Sequence, residues 1–360
     1  MKNLCKNLLA LLLGLIAVLV LSETALTLFK YRIYYRPHEM LLRYDFDANR
    51  YLYSKNARVE MNERRGDLFA LSNGSIDIEP ALRKIIFKTD SLGFRNNHDY
   101  AGDEKYILIG DSFVVGNGVS QQDMLSEQLR SYGIEAYNAA IAEDIFGYDE
   151  ILRYFIDKKK PKDIKTLLFL FEGNDFPDNP KRIVNNNSPD LKAKMLYLLK
   201  NTNVYKYIYL MFARIKSADK TSDNVKIYAI NGNKAAFYSS YITVTLRRAY
   251  VGSSDFEDAL KRLSKRVGHI YFIPTKYRVY YDLISGVNQH TPLPHAQWDY
   301  LKSLALKMDI PVTDLTPCLI EEAKRRIKED GDLIYLIDDT HWNKYGINAA
   351  AREIKKTLRF

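Results

Sequence analysis

Gly110-Asp111-Ser112-Phe113 follows directly on the apolar run Tyr106–Ile109. A serine at the C-terminal end of a strand, opening towards a helix, presents its hydroxyl at the rim, where the helix N-terminus favours developing negative charge. Serine is also a common helix N-cap. Far along the chain, Asp338-Asp339-Thr340-His341-Trp342-Asn343 precedes Gly346 and a helical pattern. A serine nucleophile needs a base for its proton, and the base needs a carboxylate to fix its tautomer. This one loop carries both types. A third string, Glu172-Gly173-Asn174-Asp175, ends the apolar run Thr166–Phe171. An asparagine amide there can donate to an oxyanion, or the string is simply a turn. Taken in this order, the three strings describe acyl transfer with Ser112 as nucleophile and His341 as base.

The strings GDSFVVG, FEGND and DDTHWNKYG resemble blocks I, III and V of the SGNH/GDSL hydrolase family. The resemblance covers about residues 85 to 360, with 176–251 unaligned, and KTDSLGFR (Lys88–Arg95) resembles a segment preceding block I in membrane-anchored bacterial members. It implies a three-layer α/β/α sandwich around a five-stranded parallel sheet (SGNH/flavodoxin-like). It also implies an oxyanion hole made by the backbone N–H of Ser112, the amide of Asn174 and a block II backbone N–H. In block II this chain departs from the family, because Asn138-Ala139-Ala140-Ile141-Ala142-Glu143 puts Glu143 where a glycine is usual. Its N–H can still donate, but its side chain would crowd or charge the site. Glu172 likewise takes a usual glycine position in block III.

The acidic partner of His341 has two candidates. Many family members use the Asp three residues before the histidine, here Asp338. Those with a DxHWN-like string, among them proteins resembling alginate O-acetylation enzymes, use the one two before it, here Asp339. Asp339 is the preferred reading, and Asp338 is then expected to be solvated or to cap the loop. Trp342 either stacks on a sugar ring or anchors the loop as a core aromatic. Lys276, in Pro274-Thr275-Lys276, and Tyr280 follow the fourth apolar strand on the same rim and are candidate substrate contacts. His290 and His295 lack ligand spacing, so no metal and no cofactor is assigned.

These residues need strands to end beside one another. Short β-like runs occur at Tyr106–Ile109, Ala136–Asn138, Thr166–Phe171, His269–Ile273 and Val312–Asp314. Helical patterns lie between or after them: Met124–Ser131, Asp149–Lys158, Asp255–Arg266, Ala296–Lys307, Leu319–Glu329 and Tyr345–Leu358. Such alternation predicts a parallel sheet with helices on both faces and a site at the C-terminal strand ends. The interval 176–251 is too long for a simple connection. Its Leu191–Ile215 stretch reads as an inserted helical pair, or as a lid or second membrane-facing surface.

Lys2 and Lys6 precede an uncharged stretch from Asn7 to Ser22, and apolar character resumes after Glu23 as far as Phe29. Residues 8–29 as a helix would span roughly 33 Å at about 1.5 Å per residue, enough to cross a bilayer. No convincing small-x-small cleavage site follows, so an uncleaved anchor is favoured over a signal peptide. A single N-terminal span most often leaves the long C-terminal part translocated. The expected organisation is an anchor at 1–29, a stalk and extension at 30–104, and a catalytic domain at 105–360. The net charge of +9 in 360 residues is a moderate excess suited to a solvated surface, anionic headgroups or an acidic polysaccharide. No basic-aromatic binding motif is present, so nucleic acid is not an expected partner. Cys5 and Cys318 sit too far apart in character to suggest a disulfide. The expected activity is an ester hydrolase or O-acetyltransferase acting on a cell-envelope carbohydrate, with polysaccharide-biosynthesis partners. The alternative is a non-catalytic polysaccharide-binding or assembly protein that keeps the fold.

Overall fold

The computed structural model describes residues 2–33, 36–72, 74, 76–79, 82–176, 190–217, 224–285 and 292–358. Helix α1 (Lys2–Ile33) carries the N-terminal apolar run. Strands β1 (Leu42–Asp45) and β2 (Arg50–Tyr53) pair antiparallel, as do β3 (Arg58–Glu63) and β4 (Arg83–Lys88), with α2 (Asp67–Leu71) between the latter two. Next come β5 (Tyr106–Ile109), α3 (Ser112–Val115), α4 (Leu125–Ser131), β6 (Ala136–Asn138), α5 (Ile145–Lys159) and β7 (Lys165–Phe171). The interval after β7 holds α6 (Leu191–Lys200), α7 (Asn203–Ser217), a hairpin of β8 (Val225–Ile230) and β9 (Asn233–Tyr238), and α8 (Ser239–Thr245). The chain finishes with α9 (Ser254–Ser264), β10 (Val267–Ile273), α10 (Lys276–Tyr280), α11 (Ala296–Lys307), β11 (Val312–Asp314), α12 (Thr316–Glu329) and α13 (Lys344–Thr357).

Five strands form one parallel sheet in the order β6-β5-β7-β10-β11, with Leu108 opposite Leu167 and Leu168 opposite Ile270. The chain steps outward from β5 to β6, then returns across β5 to β7. Right-handed crossovers in opposite directions put α4 and α5 on opposite faces. In agreement, α4 packs with α13 and α13 with α12, while α5 packs with α9. A sheet covered on both faces has no solvent side. That is why every residue of β5, and β7 from Thr166 onward, is buried and reads as continuous apolar sequence. The direction reverses between β5 and β7, so a crevice opens beyond their C-terminal ends, where Ser112 and Asn174 follow.

The run at 88–95 is a clamp on this rim. Asp90 accepts the N–H groups of Leu92, Gly93 and Phe94. Gly93 has φ of 89° and lies where a Cβ would come within 2.4 Å of Tyr53 O, so only glycine fits. The turn sends Arg95 into the core, fully buried, to donate to the carbonyls of Val115, Gly116 and Val119 at the end of α3. The hairpin β8–β9 was not legible in the helical pattern of its interval. Residues 177–189 and 218–223 of that interval, and His290, lie outside the described residues.

Candidate active site

Gly110 makes the turn from β5 into α3 possible, because a Cβ there would lie 2.7 Å from Val114 and 3.0 Å from Phe169. Asp111 caps α3 by accepting the Phe113 N–H at 2.9 Å, which leaves Ser112 half-buried on the first turn. The second half of the site comes from a loop closed by backbone pairing. Leu336 N–H donates to His341 O at 3.0 Å and Asn343 N–H to Ile334 O at 2.9 Å, so residues 336–341 form a tight hairpin-like loop before α13. This loop brings His341 Nε2 to 2.6 Å from Ser112 Oγ. On the far side of the ring, His341 Nδ1 lies 2.5 Å from Asp339 Oδ1, which also accepts the His341 backbone N–H at 3.0 Å. The aspartate hydrogen bond assigns the ring proton to Nδ1 and leaves Nε2 as the acceptor facing the serine. Phe113 lies against the His341 ring at 4.8 Å between centroids.

Asp338 points elsewhere. It is fully buried, with Oδ1 accepting from Arg83 at 2.6 Å and Oδ2 from Gly66 N–H at 2.8 Å. The expectation of a solvated Asp338 is therefore corrected: neighbouring side chains diverge, and this one reaches into β4 and the segment before α2. That segment also supplies a residue the sequence reading did not single out. Asp67 lies 3.6 Å from His341 Nδ1, accepts the Thr340 N–H at 2.8 Å, and is bonded by the Thr340 hydroxyl. Its own N–H donates to Asp339 Oδ2 at 2.9 Å. Gly66 is pressed so closely on the loop that a Cβ would come within 2.2 Å of Asp338 O. Asp67 lies in a stretch of weak periodicity, more than 270 residues from its partners, so no local signal marks it.

The charges follow from this arrangement. Burial would lower the His341 pKa, but Asp339, by charge and hydrogen bond, and Asp67 outweigh it, and the net shift is upward. Burial works against the Asp339 carboxylate, yet His341, Arg36 and Arg83 hold it well below the usual range. Asp67 is pushed up to about 6 by burial and then by the neighbouring charge of Asp339. Asp67, Asp339 and His341 offer ligand atoms within 4.8 Å of one another, a spacing that suits a cation. These atoms are already spent on one another and on Thr340.

All three candidate substrate contacts turn inward, Trp342 taking the core-aromatic alternative. Trp342 is fully buried, edge-on to Phe113, with its indole N–H donating to Phe113 O at 3.3 Å, so it anchors the loop against α3. Lys276 is buried and its ammonium donates to Ala236 O at 2.8 Å and Leu336 O at 2.6 Å, with Ile337 O at 3.2 Å. It ties the His341 loop to β9, and burial lowers its pKa to about 7. Tyr280 is buried too, its hydroxyl accepting from Ile334 and Tyr335 N–H at 2.7 and 3.1 Å. Each of these polar groups is consumed by backbone, so none is free for a substrate.

Of the expected oxyanion donors, Ser112 sits on the first turn of α3, where backbone N–H groups lack acceptors within the helix. Asn174 is exposed at the end of β7, beside the β5 rim. Glu143 departs from expectation: its N–H donates to Ile141 O at 2.7 Å, and its side chain lies over Gly147. Glu172 does not crowd the site. It is buried, accepts the Thr275 N–H at 3.0 Å, and pairs bidentately with Arg278 beneath the rim. Tyr241 on α8 lies edge-on to Phe171 at 5.1 Å and against Gly173, so the interval after β7 contributes to the rim.

Residues 248–360 match the family described as the SGNH hydrolase-like domain of the acetyltransferase AlgX. That stretch contains β10, β11 and the whole His341 loop, and it is this part of the chain that is similar to the SGNH hydrolase-like domain. A solved structure, the psychrotrophic esterase EstA from Pseudoalteromonas sp. inhibited by monoethylphosphonate, is 12% identical and covers 71% of this chain and all of its own, with a TM-score of 0.32. So distant a likeness decides nothing about activity. No curated protein matches the chain.

Proposed function

From the SGNH hydrolase-like match over residues 248–360, we propose that this chain is a serine-dependent acyl-transfer enzyme, an ester hydrolase or an O-acetyltransferase, acting on an acylated cell-envelope carbohydrate. The observation that carries the reading is the unbroken hydrogen-bonded line from Ser112 Oγ through the His341 ring to Asp339 Oδ1, with links of 2.6 and 2.5 Å. In this reading His341 Nε2 takes the proton as Ser112 Oγ attacks the ester carbonyl. Asp339 stabilises the imidazolium that forms. The Ser112 N–H and the Asn174 amide hold the oxyanion, and the Glu143 N–H joins them only if it leaves Ile141 O. As the tetrahedral intermediate collapses, the ester C–O bond breaks and His341 gives its proton to the departing alcohol oxygen, leaving the acyl-enzyme and a neutral imidazole. His341 then deprotonates water or a sugar hydroxyl, which takes the acyl group and releases Ser112 with its proton restored. The name of the matching family, an acetyltransferase, favours an acetyl group as the one transferred. Residues 1–29 serve as an uncleaved anchor, 30–104 as an extension that seals the acid side of the site, and 105–360 as the catalytic unit on the extracytoplasmic face. The anchor reading is supported by a 24-residue stretch, Lys6–Phe29, long and apolar enough to cross a membrane.

Treating the full-length chain with a serine-directed phosphonate tests the reading directly. One adduct per chain is expected, on the peptide that contains Ser112. An intact protein without adduct favours the second reading, a non-catalytic polysaccharide-binding protein, for which the engaged Glu143 N–H is the supporting observation.

Asp67 gives a pH signature. His341 acts as a base only when neutral, so kcat/KM should rise with pH through a His341 pKa raised above the ordinary 6.5. Asp67→Asn keeps an oxygen to accept the Thr340 N–H but removes a charge that helps raise that pKa. The acid limb of the profile should therefore move to lower pH, while the plateau falls by less than about tenfold, or roughly 1.4 kcal/mol of barrier. A lowered plateau with an unmoved limb would reduce Asp67 to a purely structural support.

A further inference from the structure

We propose that α6 and α7 dock on the bilayer surface beside α1 as an interfacial hairpin that prefers anionic headgroups. The proposal rests on the reading of α1 as a retained membrane span. On α6, Leu191, Met195, Leu198 and Leu199 recur at i, i+4, i+7 and i+8, the spacing of one helix face, and are 76%, 65%, 57% and 55% exposed. The opposite side of α6 already has its partner: Tyr197 stacks flat on Tyr44 at 3.7 Å between centroids. The outward face is thus surplus to what the fold needs. Helix α7 repeats the pattern, with Ile208, Tyr209 and Phe212 exposed at 48%, 64% and 62%. A face this apolar is unusual on a water-facing surface and marks an interaction site.

Its position next to α1 says what covers it. Glu23 is the only acidic residue in the apolar N-terminal run. Its carboxylate caps the start of α7, accepting Asn203 N–H at 2.9 Å and Val204 N–H at 2.8 Å, and Asn203 Nδ2 reaches Thr27 Oγ1 at 2.9 Å. A charge in an apolar helix is tolerated where a partner neutralises it, and a helix N-terminus does so. This pins α7 to the last turns of the apolar segment, where a span meets the headgroups. Lys192 and Lys194 are exposed and flank the apolar stripe of α6 on either side. An apolar stripe bordered by lysines is the pattern of a helix lying in the plane of an anionic membrane surface. A self-association face has no need of that border.

The test uses the full-length chain in lipid nanodiscs, with Cys5 and Cys318 replaced by serine and a fluorophore on a single introduced cysteine. Labels at Leu198 and Phe212 should lose most of their emission to nitroxide-bearing lipid and little to iodide in solution. A label at Lys234, on the exposed hairpin β8–β9, should show the reverse. Quenching by lipid should weaken in discs made of zwitterionic lipid alone. A label at Leu12 reports on α1 itself. If Leu12 is lipid-quenched while Leu198 and Phe212 stay open to iodide, the docking is wrong and the anchor stands. If Leu12 is also open to iodide, the anchor reading fails and takes the docking with it. Protection of Leu198 from both quenchers, accompanied by energy transfer between chains, would assign the face to a second copy and overturn the lipid assignment.

Discussion

Ser112→Ala is expected to lower ester turnover by roughly 10⁴-fold or more, because the substitution removes the oxygen proposed to form the acyl-enzyme while leaving the proposed oxyanion donors in place. The fold should barely respond. Ser112 Oγ is bonded to His341 Nε2 at 2.6 Å, at a half-buried position on the rim. Loss of one such hydrogen bond costs about 0.5–1.5 kcal/mol. Release of acetate from an acetylated carbohydrate, or of p-nitrophenol from a model ester, measures the first quantity, and the thermal midpoint the second. Activity within about tenfold of the parent would show that some other group performs the attack.

Asp339→Asn carries the second large effect, and its comparison with Asp338→Asn separates two adjacent carboxylates. An asparagine at 339 cannot accept from the imidazole as a charged group and can instead donate to Nδ1. That would place the ring proton on Nε2, facing the serine, and leave no base. A fall in kcat of about 10⁴-fold with KM little changed is expected. Residual activity should also show its acid limb at lower pH, since Asp339 is the main group raising the His341 pKa. Asp338→Asn should behave differently. Asp338 pairs with Arg83, which is only 11% exposed, so the change removes the closest counter-charge of a buried guanidinium and leaves it Glu63 at 3.9 Å. Its cost should appear as lost stability, roughly 3–5 kcal/mol as for other broken buried pairs, with kcat kept in the molecules that remain folded. Steady-state kinetics and denaturant midpoints on the two variants distinguish the cases. If Asp338→Asn were the one to abolish turnover at unchanged stability, the acid would have to be reassigned.

The similarity of the sequence strings to the site geometry has a physical basis. Ser112 and His341 each sit beside features with strong local signatures: an all-buried strand in one case, and in the other a short loop capped by Asn343, which accepts the Tyr345 N–H at 2.9 Å to start α13. Where a polar residue lay on the same rim but its partners were distant backbone, the sequence misled. Lys276 and Tyr280 have the types expected of sugar contacts, whereas Trp342 follows the core-aromatic alternative that the sequence also offered. A long polar side chain can equally turn inward to satisfy carbonyl and N–H groups that would otherwise be buried unpaired, and the types alone do not show which way it turns.

The sequence by itself determined the five strands of the parallel sheet and most of the helices that cover them, though not the hairpin β8–β9, since buried parallel strands must be continuous apolar runs and amphipathic helices must repeat near 3.6 residues. It also determined which serine and which histidine belong together. Only the tertiary structure decided that Asp339 turns to the imidazole while Asp338 turns to Arg83, because the segment from Gly66 to Asp67 takes the remaining oxygens. It likewise decided that Glu172 is sequestered by Arg278, and that α7 is fastened to Glu23 of α1. Apart from the Asp339–His341 contact itself, each of these outcomes is a contact between residues more than 100 positions apart. Such contacts leave no periodicity in the chain, and their energies exist only once the elements have packed.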